Sequence, residues 1–194
     1  DQLKGTEGLQ EELYKEIIGR IKQDDQSVPY FLDGYSYYSR FEEGKEYPIY
    51  CRKKGNTRDT ETNQDEEVLI NANIEAEGFE FFEVGGISIS PDNKLIAYSY
   101  DNIGRRLYTI VVKNLETGEL LEDKIENTSG GITWAPNGQI FFYTEKDTES
   151  LRSYKIFRHE LGTVEDVEVY HEEDDTYSCY VYKTKSKKFL AIGS

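Results

Sequence analysis

The sequence is short of the residues that most often carry enzyme chemistry. Among 194 residues there are two histidines and two cysteines. Cys51 and Cys179 stand far apart and form no C-x-x-C pair, so neither a disulfide framework nor a zinc knuckle has support. They read as ordinary thiols of a reducing compartment. With His159 and His171 as the only imidazoles, a Ser-His-Asp triad has few candidates, and both read as structural or surface residues. A nucleophile elbow requires G-x-S-x-G, and neither Gly85-Gly86-Ile87-Ser88 nor Ser129-Gly130-Gly131 has that spacing. No Walker loop, H-E-x-x-H or G-x-G-x-x-G occurs, which leaves phosphate, zinc and dinucleotide chemistry without a handle. No catalytic, cofactor-binding or metal-binding residue is therefore assigned, and no cofactor is expected.

Long apolar runs are missing too. Nothing approaches the ~18 consecutive apolar residues of a membrane span, and residues 1–8 carry neither a basic region nor an apolar h-region. A cytoplasmic location is expected, with the periplasm open because the true start of the protein is not visible. Positive charge is scarce: 23 Lys and Arg face 38 Asp and Glu, a formal net charge of −15. That balance repels phosphate backbones and steers cationic ligands or peptides inward, so nucleic acid is not an expected partner. Acidity that serves only solubility explains the same number.

What is present is a folded-protein composition, 37% hydrophobic and 13% aromatic. In residues 9–25, Leu9, Leu13, Ile17 and Ile21 recur every fourth position among charged residues. This predicts an amphipathic helix with one apolar stripe, ended by Asp24-Asp25 and Pro29. The stripe packs either on its own domain or on one outside this chain. From Tyr35 the period changes: residues 35–41 (YSYYSRF) and 47–53 (YPIYCRK) predict a hairpin. Residues 55–67 are polar and turn-rich, which predicts a mobile loop, and a short helical turn is expected near 73–78.

Self-similarity carries the most weight. Residues 87–98 (ISISPDNKLIAY) are echoed by 132–143 (ITWAPNGQIFFY) at an offset of 45, and a looser copy at 180–192 is displaced by 49. Each copy runs strand, capped turn, strand, then a charged connection to a third strand, at 108–115 and 155–161 in the first two. A further strand is expected at 168–170. Repeats of ~40–50 residues with about four strands each are the signature of propeller blades. The expected fold is mainly β: a partial β-propeller of about three blades, preceded by an N-terminal amphipathic helix. Three blades cannot close a ring of ~4–8, so more chain is expected to follow. Two acidic runs could carry chemistry. Glu172-Glu173-Asp174-Asp175 lacks the alternate spacing and central glycine of a calcium loop and reads as a solvated turn. Glu145-Lys146-Asp147 would suit a basic peptide end, but reads first as a blade connection.

Several strings together resemble the oligopeptidase B (protease II) branch of the prolyl oligopeptidase family of serine peptidases. They are 20–29 (RIKQDDQSVP), 34–40 (GYSYYSR), 47–52 (YPIYCR), 90–92 (SPD), 97–101 (AYSYD), 117–118 (TG), 134–135 (WA), 157–162 (FRHELG) and 192–194 (IGS). Ser36 departs from the bulky aromatic common there. The resemblance implies a seven-bladed propeller lidding an α/β-hydrolase domain that carries the catalytic residues and cleaves short peptides after Arg or Lys. It implies residues 1–30 as a helical extension that packs on that domain and 31–194 as the first blades. The hydrolase domain itself is absent from this chain, so no catalytic residue transfers to any position here. The competing expectation is a non-catalytic propeller serving as a protein-interaction platform.

Overall fold

The computed structural model describes residues 4–57 and 65–194, so most of the loop expected at 55–67 lies outside the described residues. The chain divides into two compact units, Asp1–Ile74 and Glu75–Ser194.

The first unit opens with a short helical turn, Lys4–Thr6, and helix α1, Glu7–Arg20. Ion pairs Glu11–Lys15 and Glu16–Arg20 lie one turn apart along it. The helix expected over 9–25 therefore ends earlier, and hydrogen bonding is the reason. Ile21 is already extended (φ −87°, ψ 124°). Beyond it, Phe41 N–H donates to the Asp25 carbonyl and Ser27 N–H to the Ser39 carbonyl, which commits 25–27 to strand-like pairing. No residue of α1 is buried, and Leu9, Leu13 and Ile17 of its apolar stripe are about half exposed.

Four strands follow as an antiparallel meander: β1 (Tyr30–Leu32), β2 (Tyr35–Arg40), β3 (Ile49–Lys54) and β4 (Glu67–Asn71). The expected hairpin is β2 with β3, Tyr38 opposite Cys51. β1 and β4 flank that hairpin and lie outside the expected strands. Asp33 (φ 49°) and Gly34 (φ 88°) both take left-handed conformations at the β1–β2 turn, the combination that matches the natural twist of a two-residue hairpin. Tyr38, Ile49 and Cys51 form this unit's buried cluster. The short helix α2, Ala72–Glu75, stands where a helical turn was expected, one residue early.

The second unit contains β5 (Glu83–Ile89), β6 (Leu95–Asp101), β7 (Tyr108–Asn114), β8 (Leu120–Trp134), β9 (Ile140–Lys146), β10 (Ser153–Glu160), β11 (Val167–His171), β12 (Tyr180–Lys183) and β13 (Leu190–Gly193). Strands β5 to β11 form one antiparallel ladder in chain order, while β12 and β13 pair separately. The ladder is two four-stranded blades that share β8. The first part of β8 closes the first blade, with Lys113 opposite Leu120 and Tyr108 opposite Thr128. Its second part opens the next, with Thr128 opposite Glu145 and Trp134 opposite Phe141. Between them the backbone bends at Asn127 (φ 58°) and Gly130 (φ 88°). Thr128, fully buried, donates its hydroxyl to the Tyr108 carbonyl and steadies the bend.

The repeat read from sequence is reproduced atom for atom at the first turn of each copy. Ser90 N–H donates to the Leu95 carbonyl, Ala135 N–H to Ile140 and Thr184 N–H to Phe189, at 2.8–2.9 Å. The fourth residue of each turn is left-handed: Asn93 (φ 62°), Gly138 (φ 67°) and Lys187 (φ 60°). The fold is a partial β-propeller, with the start of a third blade of this unit at β12–β13. Its core joins Ala97, Ile110, Val112, Trp134, Phe141 and Tyr143 from both four-stranded blades.

Candidate functional site

The strands that open successive blades meet at a seam. Ser99 Oγ accepts from Gly86 N–H at 2.7 Å and donates to the Gly130 carbonyl at 2.9 Å, tying β5 to β8 through β6. Trp134 Nε1 donates to the Ser88 carbonyl at 3.0 Å, and Thr133 Oγ1 to the Val181 carbonyl at 3.3 Å. The glycines singled out in sequence thus lie on strands, where they let two backbones approach. None sits on a strand-to-helix turn. A side chain on Gly86 would place its Cβ 2.2 Å from the Gly130 oxygen.

Both acidic runs of the sequence reach one surface pocket of about 610 Å³. Asp147, Ser150, Arg152 and Tyr154 line it from the β9–β10 connection and the start of β10, and His171, Glu173 and Asp175 from the end of β11 and beyond. Arg152 holds the pocket's shape. Its Nη1 donates to the carbonyls of Glu172, Asp174 and Tyr177 at 2.9–3.3 Å, and Nη2 meets the Asp175 carboxylate at 3.0 Å. Asp147 accepts from the backbone and hydroxyl of Ser150 at 2.7 and 2.8 Å, which lowers its pKa and keeps it ionised. Glu172 is held low in the same way by the Ser194 hydroxyl, the Asp174 N–H and Tyr170. Its side chain is a turn cap. Among the described residues no three His, Cys, Asp or Glu side chains converge as a metal-ligand set.

The remaining sequence candidates are buried. The Cys51 thiol is 1% exposed, and burial, with Glu66 nearby, pushes its pKa up to about 12, so it is inert at neutral pH. Burial likewise raises Cys179. His159 lies in β10 at 3% exposure, between two carboxylates: Nδ1 is 2.7 Å from Asp166 and Nε2 is 2.9 Å from Asp123. The sequence shows His159 as a strand residue but neither partner, because Asp123 lies on the first part of β8, which carries no clear strand pattern, and Asp166 in the connection before β11.

Comparison with known proteins places this architecture. Residues 1–194 match the family model described as prolyl oligopeptidase, N-terminal beta-propeller domain. The chain belongs to the prolyl oligopeptidase family. The chain is 41% identical over 196 residues to dipeptidyl aminopeptidase BI of Pseudoxanthomonas mexicana and 35% identical over 190 residues to protease 2 of Moraxella lacunata. Each match covers 95% of this chain and 27% of the relative. Oligopeptidase B from Leishmania major superposes with a TM-score of 0.91 at 36% identity, over 99% of this chain and 27% of that one. The chain therefore spans about a quarter of the length of the relatives it matches. No helix among the described residues is long and apolar enough to cross a membrane.

Proposed function

We propose that this chain is the N-terminal propeller portion of a serine oligopeptidase, and that its work is exclusion and steering. In this reading residues 1–30 are a helical extension and 31–194 the first blades of a seven-bladed ring, which lids an α/β-hydrolase domain of the same polypeptide. The ring admits short unfolded peptides and turns folded proteins away. The net charge of −15 raises the local concentration of cationic substrates, which suits cleavage after Arg or Lys. The half-exposed stripe of α1 is assigned to the hydrolase domain as its cover. Buried, unpaired Cys51 and Cys179 suit the cytoplasm. The observation that carries the reading is the near-complete superposition on oligopeptidase B.

The test is cleavage of a fluorogenic peptide with a blocked amino terminus and Arg at the scissile bond. Intact protein and this chain are assayed alone and with a serine-directed inhibitor. The expected result is cleavage by the intact protein only, abolished by the inhibitor. An intact protein inert toward basic peptides overturns the reading and moves the interaction-platform role to the front. A second reading has its own support, since the relative at 41% identity is named a dipeptidyl aminopeptidase. If only a dipeptide conjugate with a free amino terminus is cleaved, removal of dipeptides replaces cleavage after basic residues.

A further inference from the structure

The two four-stranded blades of the second unit differ in chemistry at one equivalent position. In the first, Ser88, Ala97 and Val112 lie opposite one another across β5, β6 and β7, a row on one face of the sheet. That face meets the second blade: the Ser88 carbonyl accepts from Trp134 Nε1, and Ala97 and Val112, both fully buried, share a core with Trp134 and Phe141. In the second blade the same register gives Thr133, Phe142, Arg158 and Val167 across β8 to β11. Arg158 thus stands where the first blade has Val112. β12 covers the Thr133 end of this row, where Thr133 Oγ1 donates to the Val181 carbonyl at 3.3 Å. Farther along, the Arg158 side chain is 39% exposed and Val167 is 49% exposed. Arg158 Nε is already buried and, among the described residues, has no hydrogen-bond partner. Glu160 reaches Nη2 only, at 3.7 Å, and is half exposed.

β12 and β13 are the first two strands of a third blade of this unit, since the turn between them repeats those at Ser90 and Ala135. The family model is that of an N-terminal domain, and the matched part is 27% of the relatives' length, so in those proteins further chain follows the matched segment. At Val112, where the following blade is complete, the position is closed to water. The same closure over Arg158 buries a permanently charged guanidinium, which an apolar cover would leave without an anion. We propose that a strand following β13 lays a carboxylate on Arg158, so that the second and third blades are joined by a buried arginine–carboxylate pair where the first and second are joined by apolar packing. The inference rests on the reading of this chain as the opening part of a longer propeller. Nε and one Nη form an edge of the guanidinium that a carboxylate accepts with both oxygens, which serves the buried Nε and balances the charge together.

Two measurements on the intact protein test this. Modification of arginine by phenylglyoxal, read by mass spectrometry, compares Arg158 in the native and the urea-unfolded protein. The native rate should be lower by about tenfold or more, because reaction requires opening a buried ion pair. A native rate close to the unfolded one overturns the proposal. A double-mutant cycle then finds the partner. Arg158→Met keeps the length of the side chain and removes its charge; each Asp and Glu on the two strands following β13 is changed to Asn or Gln, alone and together with Arg158→Met. Urea midpoints should fall in Arg158→Met and in one carboxylate variant, and the double variant should lose less than the two single losses combined. Additive losses at every carboxylate, or a midpoint that rises in Arg158→Met, overturn the proposal, since Arg158 is then covered by apolar or backbone groups. Should Arg158→Met fail to fold, Arg158→Lys keeps the charge, loses the planar fork and takes its place in the cycle. Neither readout depends on cleavage, so an intact protein inert toward basic peptides would overturn the peptidase reading and leave the Arg158 pair standing.

Discussion

Helix α1 and the paired blades are both built on regular apolar patterns, yet among the described residues the blades' pattern is buried and the helix's is half exposed. In the blades, Phe141 is fully buried and Trp134 is 1% exposed, their rings meeting edge to face at 5.2 Å. In α1, Leu9 is 57% exposed and Ile17 58%. The difference is one of partners, since periodicity specifies which face is apolar but never what covers it. A strand of one blade finds its complement one repeat away; a lone helix stripe depends on something else.

The sharpest way to break this contrast is at the shared core. Trp134→Ala should cost the intact protein about 3–5 kcal/mol, because it leaves a large cavity and strips the Ser88 carbonyl of its indole donor. Urea denaturation followed by circular dichroism measures it, and a loss below about 1 kcal/mol would show that the seam does not depend on the indole. Gly86→Ala is expected to rank second, at about 1–3 kcal/mol, because its new Cβ meets the Gly130 oxygen, backbone against backbone. Gly131→Ala is the matched control. Its nearest contact is Ser129 Oγ at 3.7 Å, an ordinary distance, so its change should stay within about 0.5 kcal/mol.

Much of this was legible in advance because turns and alternation are local. Pro91-Asp92-Asn93 and Pro136-Asn137-Gly138 announced the repeat, and the structure returns the same hydrogen bonds at each. The first part of β8 was not legible, and the reason is chemical. Its inward face reads Leu121, Asp123, Ile125, so a carboxylate occupies the middle of an otherwise apolar alternation. That break in the pattern is the partner of His159, and it is apparent only when the next blade is beside it. The pocket was hidden for a related reason. Asp147 and Asp175 are separated by two strands and become neighbours through Arg152, whose bonds to three carbonyls have no signature in sequence.

Polar contacts in the first unit sharpen the comparison at lower amplitude. Glu66 accepts the Tyr38 hydroxyl at 2.5 Å and pairs with Arg40 at 2.9 Å. Burial alone would push its pKa up, but the bonds from Arg40 and Tyr38 outweigh it and hold the carboxyl below its ordinary value. A depressed carboxyl contributes stability above its unfolded value of ~4.3, and that contribution is lost as pH falls through the folded one. Glu66→Gln should therefore cost about 1–2 kcal/mol at pH 7 and less as the solution is acidified. Denaturation midpoints at pH 7 and pH 3 measure the slope, and an unchanged acid slope in the variant would remove Glu66 from the account.

The smallest expected effect is the most informative about α1. Leu13→Ser together with Ile17→Ser changes two side chains that this chain leaves 47% and 58% exposed. In the 194-residue chain the cost should be about 0.5 kcal/mol, the ordinary range for surface positions. In the intact protein the same pair should cost several times more, because covering a Leu or Ile side chain contributes ~1.5–3 kcal/mol that serine forfeits. Thermal unfolding of both forms compares the two costs. Equal small losses would mean that the stripe stays open to water in the complete molecule, and the helix would then resemble the blades in pattern but not in purpose.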